Sequence, residues 1–265
     1  MNEDQLYKSC LEALEQGNFE LAKKNYEEIL EFFPNIKNIN YLMGIALVEH
    51  NQPQKALIAF KRALVVDTDF EAKVCFQIAV IYLEAEVFDK AIKYLKKALK
   101  IDPDYFDAQY NLAKILSISG LTNAAIEAYK RALEIDPKDE ETYVNLGVEY
   151  SNNLEVEKAK DLYEKALEIN PCSYLAYTNL GVEYQDAGNI EEAISYHKKS
   201  LECNSFYSLA WYNLACAYAL NEEINKSLQA LKKAIKLDEE NKEYAKNDPE
   251  LDILVGNPVF EDLIN

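Results

Sequence analysis

A chain of 265 residues that repeats itself at a near-constant interval is not bound to form one compact core. Tyr143 to Tyr150 reads YVNLGVEY and Tyr177 to Tyr184 reads YTNLGVEY, an offset of 34. Ala91 to Pro103 and Ala125 to Pro137, AIKYLKKALKIDP and AIEAYKRALEIDP, share that offset. Self-similarity at such a period marks stacked supersecondary units, none of which can bury its apolar face alone. Apolar residues recur at helical spacing in both segments, so each block reads as two helices of about a dozen residues joined by a short turn. The expectation is an all-α array of tandem antiparallel helix pairs that grows linearly along the chain.

Frames starting at residues 3, 37, 72, 106, 140, 174 and 208 align three columns. The first helix carries a small residue at Cys10, Gly44, Ala79, Ala113, Gly147, Gly181 and Ala215. The second carries one at Ala22, Ala56, Ala91, Ala125, Ala159, Ala193 and Ser227, followed by a knob at Tyr26, Phe60, Leu95, Tyr129, Tyr163, His197 and Leu231. Two helices that approach closely need small residues where their backbones cross, and knobs to fill the space beside the crossing. Pro34, Pro103, Pro137 and Pro171 stop second helices, while Thr68, Ser205 and Glu239 take that place in other repeats. His197 reads as a half-buried packing residue and His50 as a solvated turn residue.

These columns resemble the tetratricopeptide (TPR) repeat pattern of W-x2-L-G-x2-Y, A-x3-F and a junction Pro. The resemblance covers nearly the whole chain to about residue 241. It implies a right-handed superhelical solenoid of seven repeats over residues 1–240, at approximately 3–36, 37–71, 72–105, 106–139, 140–173, 174–207 and 208–241. Residues 241–265 break the pattern with Asp248-Pro249 and Asn257-Pro258 and read as short capping helices. The alternative is a detachable motif that binds in the chain's own groove.

The formal charge of −18 repels phosphate backbones and anionic headgroups, so nucleic acid and membrane surfaces are poor partners. Cys10, Cys75, Cys172, Cys203 and Cys216 are odd in number and form no C-x-x-C pair, which argues against a disulfide framework or zinc site and for a reducing, cytoplasmic compartment. No apolar run approaches a membrane span, and the polar N-terminus lacks a signal-peptide layout. Phosphate-binding glycine loops, zinc-protease motifs and nucleophile elbows are absent from the sequence. Neither enzymatic activity nor a cofactor or metal is expected.

In the resembled family, first helices line the inner wall of the superhelix, and that implies two zones here. The C-terminal zone holds Asn111, Asn145, Asn179 and Asn213, each 34 residues from the next. An amide offers a donor and an acceptor, so a row of them suits the backbone of an extended peptide. Tyr110, Lys114, Val148, Thr178, Val182 and Tyr212 flank the row. The N-terminal zone is apolar: Tyr7, Leu11 and Leu14, then Tyr41, Ile45 and Val48, then Phe76, Val80 and Leu83, edged by Glu15, Glu49 and Glu84. Such a strip suits an amphipathic helix or a second copy of the chain. Seven acidic groove positions against three basic ones favour a neutral or basic partner. The expected function is a non-enzymatic protein- or peptide-binding scaffold; the alternative is a self-associating assembly protein that uses the apolar repeats.

Overall fold

The computed structural model describes residues 2–66 and 70–265; Thr68, expected in a Pro place, lies outside the described residues. Among the described residues the regular structure is helical throughout. Fourteen helices follow in tandem: α1 (Glu3–Glu15) and α2 (Phe19–Phe32), α3 (Ile39–Glu49) and α4 (Pro53–Val66), α5 (Glu71–Glu84) and α6 (Phe88–Ile101), α7 (Phe106–Ile118) and α8 (Thr122–Ile135), α9 (Glu140–Asn152) and α10 (Val156–Ile169), α11 (Tyr174–Asp186) and α12 (Ile190–Cys203), and α13 (Ser208–Leu220) and α14 (Ile224–Leu237). They are followed by α15 (Asn241–Ala245), a 3-10 turn (Pro249–Leu254) and α16 (Pro258–Ile264). The chain divides into two compact units at Ser119–Gly120. In the first, α1 packs on α2, α3 on α4 and α5 on α6, and each second helix packs on the next first helix. The second unit repeats this order from α8 to α14. None of the helices is long and apolar enough to cross a membrane.

The turns explain why the hairpins recur. Six first helices end in one backbone motif, in which the residue after a left-handed turn residue donates its N–H to the carbonyl five positions back. Asn18 N reaches Ala13 O and Glu155 N reaches Tyr150 O, at 2.8 and 2.9 Å. Gly17 and Gly188 supply the left-handed residue without strain, but Leu154 occupies it at φ 61°. Whereas α2 ends on Phe33 before Pro34, from the third repeat on second helices end on an extended Asp or Asn whose side chain accepts an N–H two residues on. Asp102, Asp136, Asn170, Asn204 and Asp238 all do so. Pro103, Pro137 and Pro171 follow three of these. The turn survives at Ser205 and Glu239, so the acceptor side chain is the common element of the break and proline an addition to it.

The expected columns meet inside each hairpin. Gly44 faces Phe60, Gly147 faces Tyr163 and Gly181 faces His197; a Cβ on any of these glycines would lie 2.4 Å from a ring atom. The columns also pair Ala79 with Leu95 and Ala215 with Leu231, and Cys10 and Ala113 with the larger Tyr26 and Tyr129. The small residues of the second helices are fully buried. Where the last repeat has Ser227 in place of Ala, its hydroxyl donates to Ala215 O at 2.7 Å.

Two sequence readings are corrected here, and the reading of His50 is extended. His197 is fully buried rather than half-buried, and neither ring nitrogen has a partner. Burial pushes its pKa down from 6.5 to about 4. His50 is exposed at the end of α3, as expected, and its ring also stacks on Phe19 at 3.8 Å, with Nδ1 2.9 Å from Ala46 O. Cys172 and Cys203 form a disulfide, with Cα atoms 5.3 Å apart. Cys172 sits in the exit turn of α10, and stacking brings the last residue of α12 against that turn. The separation of 31 residues is nearly one repeat, a relation that paired-cysteine motifs do not register. Disulfides persist where the surroundings oxidise, so the reading of a reducing compartment loses its support. Cys10, Cys75 and Cys216 are free and buried.

The tail caps the second unit. Leu251, Leu254, Phe260 and Ile264 join the apolar cluster built by α13 and α14. Without them the last hairpin would expose its stacking face.

Two outcomes follow from the interior. Gly147→Ala should lower unfolding free energy by ~1–3 kcal/mol through overpacking against Tyr163. Adding Tyr163→Leu, which copies the Ala79–Leu95 combination, should recover part of that loss; simple additivity of the two changes in urea titrations would refute the contact. His197 gives a pH dependence. Its folded pKa is depressed, so below pH 6.5 the unfolded chain takes up a proton that the folded chain refuses until about 4. Its contribution is therefore full above 6.5 and falls as pH drops towards 4, by up to about 3 kcal/mol. Comparing unfolding at pH 7 and pH 4.5, His197→Phe should lose much less stability than the wild type; equal losses would exclude this histidine as the cause.

Candidate functional site

First helices of the second unit lie side by side, α9 against α11 and α11 against α13. One face of each is committed to packing. In α9, Val144, Leu146 and Gly147 are buried, while Asn145 and Val148 between them are only half-buried. The same alternation leaves Asn179 and Val182 partly open on α11 and Asn213 on α13. In the first unit, Asn111, Tyr110 and Lys114 are half-buried on α7. Asn111 Nδ2 donates to Asp107 O at 2.8 Å, which leaves its carbonyl oxygen as the groove-side acceptor. Lys114 Nζ lies 5.4 Å from the centre of the Tyr110 ring.

Two expected flanking residues are placed differently. Thr178 is buried, and its hydroxyl lies 2.9 Å from Tyr174 O and 2.8 Å from Ser200 Oγ. Val144 holds the same column one repeat earlier and is buried too, so the column turns inward here; Ser200, where Ala98, Ala132, Ala166 and Ala234 stand elsewhere, meets the Thr178 hydroxyl. Tyr212 is also buried, because its hydroxyl donates to Asp248 of the tail at 2.7 Å. Burial, then Asp248, push the Tyr212 pKa up.

The tail thus reaches the groove side as well as the stacking end. Gln185 Nε2 donates to both Glu250 carboxylate oxygens at 2.9 Å. Cys216 Sγ lies 3.6 Å from Asp248 Oδ2, and its thiol pKa is pushed up by burial, then by Asp248 and Glu250. Gln185 stands in the column of Leu14, Val48 and Leu83, and Cys216 in that of Val148 and Val182, so column position alone could have placed them in the groove. That the tail would cover them has no signal in the repeat. Cys216, Asp248 and Glu250 bring three donor atoms within 4.8 Å of one another. Both carboxylates are already engaged, by Tyr212 and by Gln185, so the cluster is accounted for as a capping contact.

A recess of about 620 Å³ opens between α13 and the tail beside Asn213. Asp238, Glu240, Glu243 and Asp248 line it, and no Lys or Arg does. Carboxylates also occur where they were not expected. Glu149 and Glu183 are buried on first helices, and their charges add to burial in raising the pKa of Tyr129 and Tyr163.

The nine apolar positions of the first unit are all half-buried, and Glu15, Glu49 and Glu84 are exposed. Tyr7, Leu11, Leu14, Tyr41, Ile45 and Val48 each press one side against the core of the first two hairpins. Phe76 and Leu83 do the same one hairpin later, and Val80 is likewise partly open. Tyr41 stacks on Phe70 at 5.0 Å and Phe76 lies 5.1 Å from Tyr105. Burial raises the Tyr41 pKa. The strip is therefore partly spent on internal packing and partly accessible.

Tetratricopeptide repeat family models match residues 7–70, 82–146, 140–171, 162–195 and 208–241. A curated relative, protein O-mannosyl-transferase TMTC3 of Homo sapiens, is 26% identical over 106 residues, which is 40% of this chain and 12% of that protein. The chain therefore corresponds to a small part of that relative. Among solved structures, the C-terminal part of a TPR repeat-containing protein from Cytophaga hutchinsonii superimposes with a TM-score of 0.72 at 18% identity, covering 94% of this chain and 99% of that one. YrrB, described as a TPR protein with an unusual peptide-binding site, superimposes with a TM-score of 0.60 at 22% identity, covering 70% and 95%. At these identities the likeness is one of fold. With its hairpins, small-residue columns and knobs in place, the chain belongs to the tetratricopeptide repeat family.

Proposed function

We propose that this chain is a non-enzymatic scaffold that holds an extended protein or peptide segment against its first helices. The observation that carries this reading is the asparagine column. Asn145, Asn179 and Asn213 stay partly open on neighbouring helices although the residues around them are buried. Amides at that spacing match the repeating donors and acceptors of an extended backbone. Val148 and Val182 add apolar contact, and Asn111, Tyr110 and Lys114 offer the equivalent face of α7. The carboxylate-lined recess beside Asn213 favours a guest with basic residues. YrrB's description as peptide-binding agrees with this class of guest.

The test is selection of binding peptides on the wild type, followed by titration of the best of them into Asn145→Ala/Asn179→Ala. Each lost hydrogen bond is worth ~0.5–1.5 kcal/mol, so the pair should weaken binding by ~1–3 kcal/mol. Thermal unfolding should be unchanged, because both side chains are partly open. Equal affinity of the double variant would remove the asparagines from the site.

A second reading rests on the apolar strip of the first unit, which is too extensive to be indifferent to a partner. On this reading two copies associate through Tyr7, Leu11, Leu14, Tyr41, Ile45 and Val48. Light scattering should then give a mass above the 30.3 kDa chain. Leu14→Lys/Val48→Lys should return it to the monomer. A monomeric wild type at high concentration would leave this reading without support.

A further inference from the structure

The second helices of the second unit carry a surface of opposite character to the asparagine wall. A groove of about 550 Å³ runs between α12 and α14, with α13 as its floor. Trp211 and Tyr218 form the aromatic base, and Lys198, Lys226 and Lys233 stand at the rim beside a single carboxylate, Glu202. The ammonium groups are held by the rings. Lys233 Nζ lies 3.9 Å from the Trp211 centroid, and Lys198 and Lys226 lie 5.5 and 5.4 Å from that of Tyr218. Lys226 also pairs with Glu223. Among the described residues, neither Lys198 nor Lys233 has a carboxylate within 4 Å.

A groove built from the same columns recurs two repeats earlier. Lys130, Tyr143, Tyr150, Lys158 and Lys165 stand 68 residues before Lys198, Trp211, Tyr218, Lys226 and Lys233, around a groove of about 480 Å³. Lys130 and Lys158 lie 5.8 and 5.1 Å from the Tyr150 ring centre. Glu134 and Asp161 line this copy, so it is less positive. The intervening repeat departs from the pattern. Its columns carry Glu164 and Glu192 in place of two of the lysines, and Tyr196 in place of Leu162 or Ala230. Tyr196 stacks on Tyr184 at 5.1 Å, which fills the space that the other two grooves leave open. Basic aromatic grooves are therefore a property of particular side chains in this chain and not of every helix pair.

We propose that the α12–α14 groove docks an acidic peptide segment in which an aromatic or branched aliphatic side chain lies between carboxylates. The apolar side chain rests on Trp211 and Tyr218, and the carboxylates meet Lys198, Lys226 and Lys233. Charge complementarity argues for this occupant: on a chain of net charge −18, three lysines around one groove form a local exception. A long nucleic acid meets the same lysines but must also lie against the acidic surface around them. None of the groove residues belongs to the asparagine wall, so the two sites fail or hold separately.

Trp211 is the chain's sole tryptophan, which makes its emission a direct reporter of this groove. The probe is an N-acetylated, C-amidated heptapeptide that alternates glutamate with leucine and phenylalanine, titrated into the full chain at low salt. A saturable change in Trp211 emission that weakens with added salt is the expected result. Lys198→Glu/Lys233→Glu should bind about tenfold more weakly or worse, since both unpaired charges are reversed. Lys198→Gln/Lys233→Gln gives a milder loss and serves if the reversal disturbs folding, as judged by circular dichroism. Asn145→Ala/Asn179→Ala should bind the probe as the wild type does. The proposal is overturned by an unchanged emission, by equal binding to both lysine variants, by a glutamate–serine control peptide that binds as tightly, or by an oligonucleotide that binds more tightly.

Discussion

An aromatic ring lying on a bare glycine backbone sets the distance between the helices of a hairpin, and the other regularities of this chain follow from that distance. Phe60 on Gly44, Tyr163 on Gly147 and His197 on Gly181 leave no room for a Cβ. The alternative solution, alanine beside leucine, reaches the same end with a smaller knob and one methyl more. Both hold the helices close enough for their turns to close in one backbone pattern. With spacing and turn fixed, a residue at a given column takes the same place on its helix in every repeat. The even spacing of Asn145, Asn179 and Asn213 has structural meaning for this reason. Buried knobs also carry costs that vary with chemistry. A phenyl ring is indifferent to pH, whereas an imidazole without partners must stay neutral to remain folded.

The fold was legible because each hairpin is specified locally. Helical spacing, small residues and knobs all lie within one repeat, and the tests of their consistency are the other repeats. The half-buried setting of Asn145, Asn179 and Asn213 follows from the same spacing. What the sequence hid lies between repeats or outside them. Cys172 and Cys203 belong to different repeats and to different columns, so no alignment of columns pairs them. Thr178 lies inward like Val144 one repeat earlier, and its hydroxyl is met by Ser200 in the next helix, where other repeats carry alanine. Tyr212 is covered because the tail follows its own pattern, and Asp248 finds the tyrosine hydroxyl only when the chain folds back across the last hairpin. His50 stacks on Phe19 of the preceding hairpin, a contact that its place at a turn does not announce.

The tail shows how an array can stop. A further hairpin would cover α13 and α14 with another pair of small-residue columns. The tail uses a short helix, a 3-10 turn and a last helix, with Leu251, Leu254, Phe260 and Ile264 as its apolar layer. Its polar edge then satisfies groups that a further hairpin would have met differently. Tyr212 and Gln185 both donate to tail carboxylates, so the final groove positions are sealed by the chain itself. The recess lined by Asp238, Glu240 and Glu243 begins beside Asn213, where the tail takes over from the repeats.

Separating the two faces of a helix pair lets one chain present opposite chemistries. First helices of the second unit offer amides and carboxylates, while α8, α10, α12 and α14 offer lysines on aromatic rings. Screening limits exposed charges to a range of about 8 Å at physiological ionic strength, so the charge on one face has little effect at the other. The interior does not force a compromise either, because the columns that close a hairpin are not the columns that form either surface. Tyr196 illustrates this independence. It fills a groove on the second helices of the sixth repeat while Asn179, on the first helix of that repeat, keeps the half-buried place of its column. Surface chemistry can therefore alternate from repeat to repeat, lysine groove to tyrosine-filled groove to lysine groove, without disturbing the packing that spaces the repeats.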